Sequence, residues 1–136
     1  MTPTARTLEQ LRRERYAADV CERFIPRVNQ RADLFRLFDV LAVRADLPGV
    51  LGVQTTSGTN HASRVRKLLG NATLRTWLAA GNRAEVWSWR KDHRGRWACR
   101  RAAIRPDDLG GVAVEELPRP RRRRRKPEPT LFDGIE

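Results

Sequence analysis

The sequence predicts a mixed α/β fold, and three patterns carry that prediction. Apolar residues Leu8 and Leu11 open the chain at helical spacing, and two apolar runs flank a Pro-Gly turn near its middle. A helical stretch then leads into a second pair of strand-like segments.

Residues 1–6 are expected to fray. Thr7 offers a helix cap, and the helix runs through Leu8, Leu11 and the Arg12-Arg13-Glu14-Arg15 group, with Glu9 and Glu14 able to pair with the arginines. Two periodicities compete in the next segment. Tyr16, Ala17, Val20, Cys21 and Phe24 recur at helical spacing, whereas Val20, Glu22 and Phe24 alternate with Cys21, Arg23 and Ile25 as in a strand; Pro26 ends either element.

Leu34–Val43 and Val50–Val53 read as antiparallel strands joined through Ala45-Asp46-Leu47-Pro48-Gly49. Asp39 interrupts the first strand, and Gln54-Thr55-Thr56 extends the second. Burying a carboxylate is costly unless it is paired, hydrogen-bonded or bound to a metal. If the hairpin closes around Leu47, Asp39 lies opposite Gln54, with the Cβ atoms about 4.5–5.5 Å apart, and Gln54 and Thr56 share a face. A slip of one residue would turn Asp39 to the other face.

Ser57-Gly58-Thr59-Asn60 leads into a basic helix, His61 to Leu69, which Gly70-Asn71 ends. Leu74, Trp77 and Leu78 mark another helix that stops at Gly81-Asn82. Ala84–Lys91 and Arg96–Ile104 then form two strands around Asp92-His93-Arg94-Gly95. Trp87, Trp89 and Trp97 read first as core residues. Their interleaving with Arg90, Lys91, Arg94 and Arg96 leaves base stacking as a second reading. His61 and His93 read as surface histidines. Residues 1–104 thus form the expected domain, 105–117 a linker and 118–136 a disordered arginine-rich arm.

Charge narrows the function. The 136 residues carry 28 Lys and Arg against 16 Asp and Glu, a net +12, which calls for a polyanionic partner, nucleic acid before an anionic membrane surface. In the arm, Arg121, Arg122, Arg123, Arg124, Arg125 and Lys126 would give affinity without sequence preference, each phosphate contact steepening the salt slope by about 0.9. No apolar run approaches the roughly 18 residues of a transmembrane helix, and the opening segment is polar, so no membrane partner and a cytoplasmic setting are expected. Cys21 and Cys99 lack metal-type or redox spacing and read as small buried residues.

An aspartate, a hairpin, a polar-x-polar strand end and a basic helix follow one another in DLFRLFDVLAV and LGVQTTSGTNHASRVRK. This order resembles the PD-(D/E)XK nuclease core, in a small phage-type branch similar to Holliday junction resolvases, and the resemblance covers about Leu8 to Arg100. It implies an αβββαβ core, here with one added strand, and favours a strand over a helix in the ambiguous segment after the first helix. It also implies a DNA endonuclease using Mg²⁺ or Mn²⁺, with branched junctions as a possible substrate class. In that superfamily the Asp and the acidic residue of (D/E)xK hold the metal, and the Lys orients or activates water. Asp39 matches the first position, Gln54 stands in place of the second carboxylate, and Thr56 stands in place of the Lys.

Gln54 keeps an oxygen but brings no charge. A further carboxylate is therefore expected, from Asp33 or Glu22 first and from Glu9 or Glu14 behind them. Lys67 is the candidate replacement for the Lys. Arg64 is less suited, because arginine does not release its proton. Arg64, Arg66, Lys67, Arg90 and Lys91 are the DNA-contact candidates within the domain. The same departures support a rival from another class, a nuclease-fold DNA-binding accessory protein without chemistry; a basic RNA-binding protein is a third. Cutting four-way junctions would call for a homodimer. Leu131-Phe132 resembles the Q-x-x-L-F peptides that dock on sliding clamps, with Glu128 in place of the Gln.

Overall fold

The computed structural model of the chain describes residues 1–21, 23–27 and 30–119. Helix α1 (Pro3–Arg13) starts earlier than Thr7: Thr2 is the cap, its hydroxyl accepting from the Ala5 N–H at 3.1 Å, and Pro3 occupies the first turn. Thr7 instead lies buried inside the helix, where its Oγ1 accepts a 2.9 Å hydrogen bond from Trp89 Nε1. The helix ends as Arg15 turns to a left-handed conformation.

The ambiguous segment is extended, as β1 (Ala17–Val20) and β2 (Arg23–Ile25), followed by β3 (Gln30–Ala32). β2 and β3 form a separate two-stranded ribbon, and β1 joins the main sheet. The central hairpin is β4 (Val40–Val43) and β5 (Leu51–Ser57), paired Val40 to Val53, Leu41 to Gly52 and Ala42 to Leu51, so it closes around Leu47 as the Pro-Gly turn predicts. Gly49 is left-handed there, and a Cβ on it would lie 2.1 Å from the Gly81 carbonyl oxygen, so only glycine fits. The first strand is much shorter than the apolar run. Leu34 to Phe38 forms a tight turn in which Phe35 and Arg36 both have positive φ and Leu34 bridges Phe38. Non-glycine residues adopt that conformation rarely and at a cost in strain.

Helices α2 (His61–Leu69) and α3 (Thr73–Ala79) carry the chain across to β6 (Arg83–Lys91), which pairs with β5 in parallel. β7 (Trp97–Pro106) returns antiparallel to β6. Residues 105–117 are not a linker: they contain β8 (Val112–Glu116), which pairs with β7, so two strands rather than one follow β6. The result is a mixed α+β fold with a six-stranded sheet, β1-β4-β5-β6-β7-β8, whose one parallel step is β5–β6. Arg105 and Glu115 pair across the β7–β8 edge at 2.8 Å, placing charge where a bare edge would invite further strands.

Both faces are packed. Leu11 of α1 covers Val40, Ala42, Leu51, Val53, Trp87 and Trp89 on one side. Leu68, Leu74 and Leu78 of the other two helices cover Leu37, Phe38, Ala84, Val86 and Ile104 on the other. The Phe38 ring lies so close over Gly52 that a Cβ there would come within 2.5 Å of it. This stacking seats the backbone on which Asp39 follows.

Candidate active site

Asp39 sits where β4 parts from β5. Its N–H donates to the Val53 carbonyl at 3.2 Å although Val53 is already opposite Val40, so the regular ladder stops there and a length of β5 edge is left open. The Asp39 carboxylate covers that edge. Oδ1 accepts from the Thr55 N–H at 3.0 Å and Oδ2 from the Thr55 hydroxyl at 2.9 Å. Asp39 is only 8% exposed. Burial pushes its pKa up to about 6; the Thr55 hydrogen bonds oppose the rise and the nearby Asp33 charge adds to it. Thr55 is in turn within 3.0 Å of the Thr4 hydroxyl of α1.

Gln54 and Thr56, both buried, alternate with Thr55 and face the α2 side. No donor among the described residues reaches Gln54 Oε1, which is fully covered. An amide oxygen in that state costs about 1–3 kcal/mol. Lys67 Nζ, on α2, lies 3.8 Å from Asp33 Oδ2. Lys67 thus pairs with Asp33, whose charge is felt at Asp39, and Gln54 lies in the strand beside them.

The other expected carboxylates are elsewhere. Glu9 pairs with Arg13, and Glu14 makes two bonds to Arg101 at 2.9 and 2.7 Å. Glu14 lies ten residues along α1 from Thr4, about 15 Å of helix. Glu22 falls outside the described residues, as do Arg121 to Arg125, Lys126 and Leu131-Phe132. Arg66, Arg90 and Lys91 are exposed and Arg64 is half-buried, with Arg64 and Arg66 on α2 and the other two at the end of β6.

Sequence reasoning missed one residue and misplaced another. Thr55, to which the sequence assigned no role, holds Asp39, because the carboxylate bonds along the strand edge rather than across a face. His61 is not a surface residue: 3% exposed, it places Nδ1 2.5 Å from Ser88 Oγ and Nε2 3.1 Å from Glu116 Oε1. Ser88 is completely buried, so this Ser-His-Glu chain ties α2 to β6 and β8 and offers no reachable nucleophile. Cys21 and Cys99 are half-buried, their thiols pushed up to about 11 and about 12 chiefly by burial, which keeps them unreactive.

Among the described residues no cluster of three His, Cys, Asp or Glu side chains forms, and no helix is long and apolar enough to cross a membrane. Comparison with protein-family models, with curated proteins and with solved structures finds no match.

Proposed function

We propose that this chain is a divalent-metal-dependent DNA endonuclease of the PD-(D/E)XK type, with branched DNA among its substrates. The observation that carries the reading is the grouping at the β4–β5 divergence: buried Asp39 beside Asp33, Lys67 on Asp33, and the unpartnered Gln54 oxygen in the adjoining strand. The element order also supports it, since α1, the antiparallel β1, β4 and β5, a helical crossover and parallel β6 follow the αβββαβ sequence.

The residues present suit a hard cation. Asp39, Asp33 and Gln54 offer oxygen donors alone, two of them charged and one without a hydrogen-bond donor. What Mg²⁺ or Mn²⁺ supplies when bound is polarisation of a phosphoryl oxygen and neutralisation of developing charge. Thr55 holds the Asp39 carboxylate in one orientation through two bonds, so little reorganisation is needed on substrate arrival. Lys67, with a side chain 42% exposed, keeps a mobile ammonium at the rim that can meet a phosphate oxygen.

A second reading has its own support: Gln54 and Thr56 replace the charged pair of the motif, and Thr55 occupies both Asp39 oxygens. That pattern fits a DNA-binding protein that keeps the fold without hydrolysis. Labelled four-way junction, flap, duplex and single-stranded DNA incubated with Mg²⁺, Mn²⁺ or EDTA separate the two. The endonuclease cuts only with metal, and Asp39→Asn lowers the rate about a hundredfold or more. Salt-sensitive binding without cutting in either metal, unaltered by Asp39→Asn, overturns the endonuclease reading. Junction cutting would further require two copies of the chain, measurable by sedimentation with and without DNA.

A further inference from the structure

The three strand tryptophans part company in the fold. Trp87 and Trp89 are 1% and 8% exposed and belong to the core under α1. Trp97, at the start of β7, is 44% exposed. Its ring has the Arg6 guanidinium 3.8 Å from its centroid and Lys91 Nζ at 5.7 Å. A large aromatic face left at the surface and ringed by cations is the composition of a base-stacking platform.

The surrounding charges point the same way. Arg13, Arg44, Arg100, Arg101 and Arg105 each have a carboxylate partner. Among the described residues no carboxylate pairs with Arg6, Arg90 or Lys91, which share a groove with Trp97. Arg94 and Arg96 lie on its other side with Asp92, which accepts from their backbone N–H groups at 2.8 and 3.0 Å. Arg6, Ser57, Gly58, Arg90, Lys91 and Trp97 line a groove of about 470 Å³, and its lining contains no acidic residue. Positive charge that the fold leaves unmatched on one concave wall suits a phosphate backbone.

Position links this groove to the candidate centre. Ser57 and Gly58 continue β5 directly from Gln54, Thr55 and Thr56, so the groove begins roughly 7 Å of strand beyond Thr55. Gly58 lets the chain pass close to Arg90, whose Cβ would lie 2.9 Å from any added Cβ. Its volume is in the range of pockets that take single small molecules. A duplex, moreover, keeps its base faces stacked inside and has none to offer an indole.

We infer that this groove seats an unpaired DNA strand running away from the candidate centre, with Trp97 stacking a base and Arg6, Arg90 and Lys91 holding its phosphates. This rests on the endonuclease reading for its choice of DNA, and it narrows the substrate to DNA with a single-stranded arm next to the cut.

The test is binding without metal, so cutting plays no part in it. Fluorescein-labelled dT12, a duplex of equal length and rU12 are titrated with the full chain in EDTA, at a salt concentration raised until duplex binding is weak. Trp97→Ala should weaken dT12 binding about ten- to hundredfold, Trp97→Phe should recover most of it, and duplex binding should change less than about twofold. Equal dT12 affinities for wild type and Trp97→Ala, or an equal loss on duplex, would overturn the proposal. Tighter binding of rU12 than of dT12 would overturn the assignment to DNA. If Trp97→Ala fails to fold, tryptophan fluorescence decides: dT12 should quench wild-type emission more than that of Trp97→Phe, which keeps Trp89 in the groove lining, and equal quenching in both sinks the idea. Because this readout is independent of hydrolysis, a chain that never cuts DNA can still pass it, and an active nuclease can fail it.

Discussion

Two shielded carboxylates in this molecule are handled in opposite ways. Burial would raise the pKa of Glu14, but the Arg101 hydrogen bonds and charge outweigh it, with help from Gln10 and Arg44, and the pKa ends below its ordinary value. Asp39 is more deeply covered, has no cationic partner among the described residues, and is pushed up to about 6 in spite of its Thr55 bonds. The Arg101 guanidinium also stacks 3.7 Å over Trp87, so the Glu14 pair is built into the packing. Asp39 is kept at a cost that the fold does not relieve.

The largest expected effect comes from removing the partner that Glu14 has. Arg101→Ala should lower stability by about 3 kcal/mol in urea unfolding at neutral pH, because it strands a carboxylate and uncovers Trp87. Next is the reverse experiment at Asp39. Its raised folded-state pKa means that the folded chain holds the proton more tightly than the unfolded chain does. Its contribution is therefore fully favourable below about pH 3.8, is lost as pH rises through about 6, and stays lost above. Glu14 has the opposite sign: its contribution is present above pH 4.5 and is lost as the pH falls below that value. Metal-free Asp39→Asn should thus be more stable than wild type at pH 8, by up to about 3 kcal/mol if the whole shift of about two units is recovered. The gain should vanish near pH 4. A melting temperature that falls on this substitution at pH 8 would break the comparison. Smallest is Thr55→Val, which removes one of the two bonds to Asp39. It should raise the Asp39 pKa further, readable from the carboxyl carbon resonance across a pH titration.

The hairpin was legible in the sequence because Pro48-Gly49 sets its turn and the alternation of Leu51, Val53 and Thr55 sets its faces. The same register placed Asp39 and Gln54 at matching levels of neighbouring strands, whereas nothing in the spacing announced that Lys67 would lie 3.8 Å from Asp33. What stayed hidden was the geometry at Asp39 itself. Leu34-Phe35-Arg36-Leu37-Phe38 opens an apolar run interrupted here by Arg36 alone, and neither Phe35 nor Arg36 signals the left-handed turn it adopts, so the strand was extended too far. With the ladder ending at Val40, the carboxylate meets the strand edge and takes its two bonds from Thr55, a residue the spacing did not single out. Val112-Ala113-Val114 was too short, between Gly111 and Pro118, to announce β8. Trp97 was read as core with Trp87 and Trp89 because all three lie in strands, but it is 44% exposed and only the other two join the core cluster around Leu11.

The bonds that fasten α1 have a consequence for the order in which the chain is made. Thr7 waits for Trp89 and Glu14 for Arg101, separations of 82 and 87 residues. At translation speeds of about 5–20 residues per second, Glu14 precedes its partner by roughly 4 to 17 seconds. An eleven-residue helix is marginal alone in water. Helix α1 is therefore secured only after the strands that hold it have been made, and Thr4 can reach Thr55 only when it docks. The wall beside Asp39 is completed only after β6 and β7 have been made.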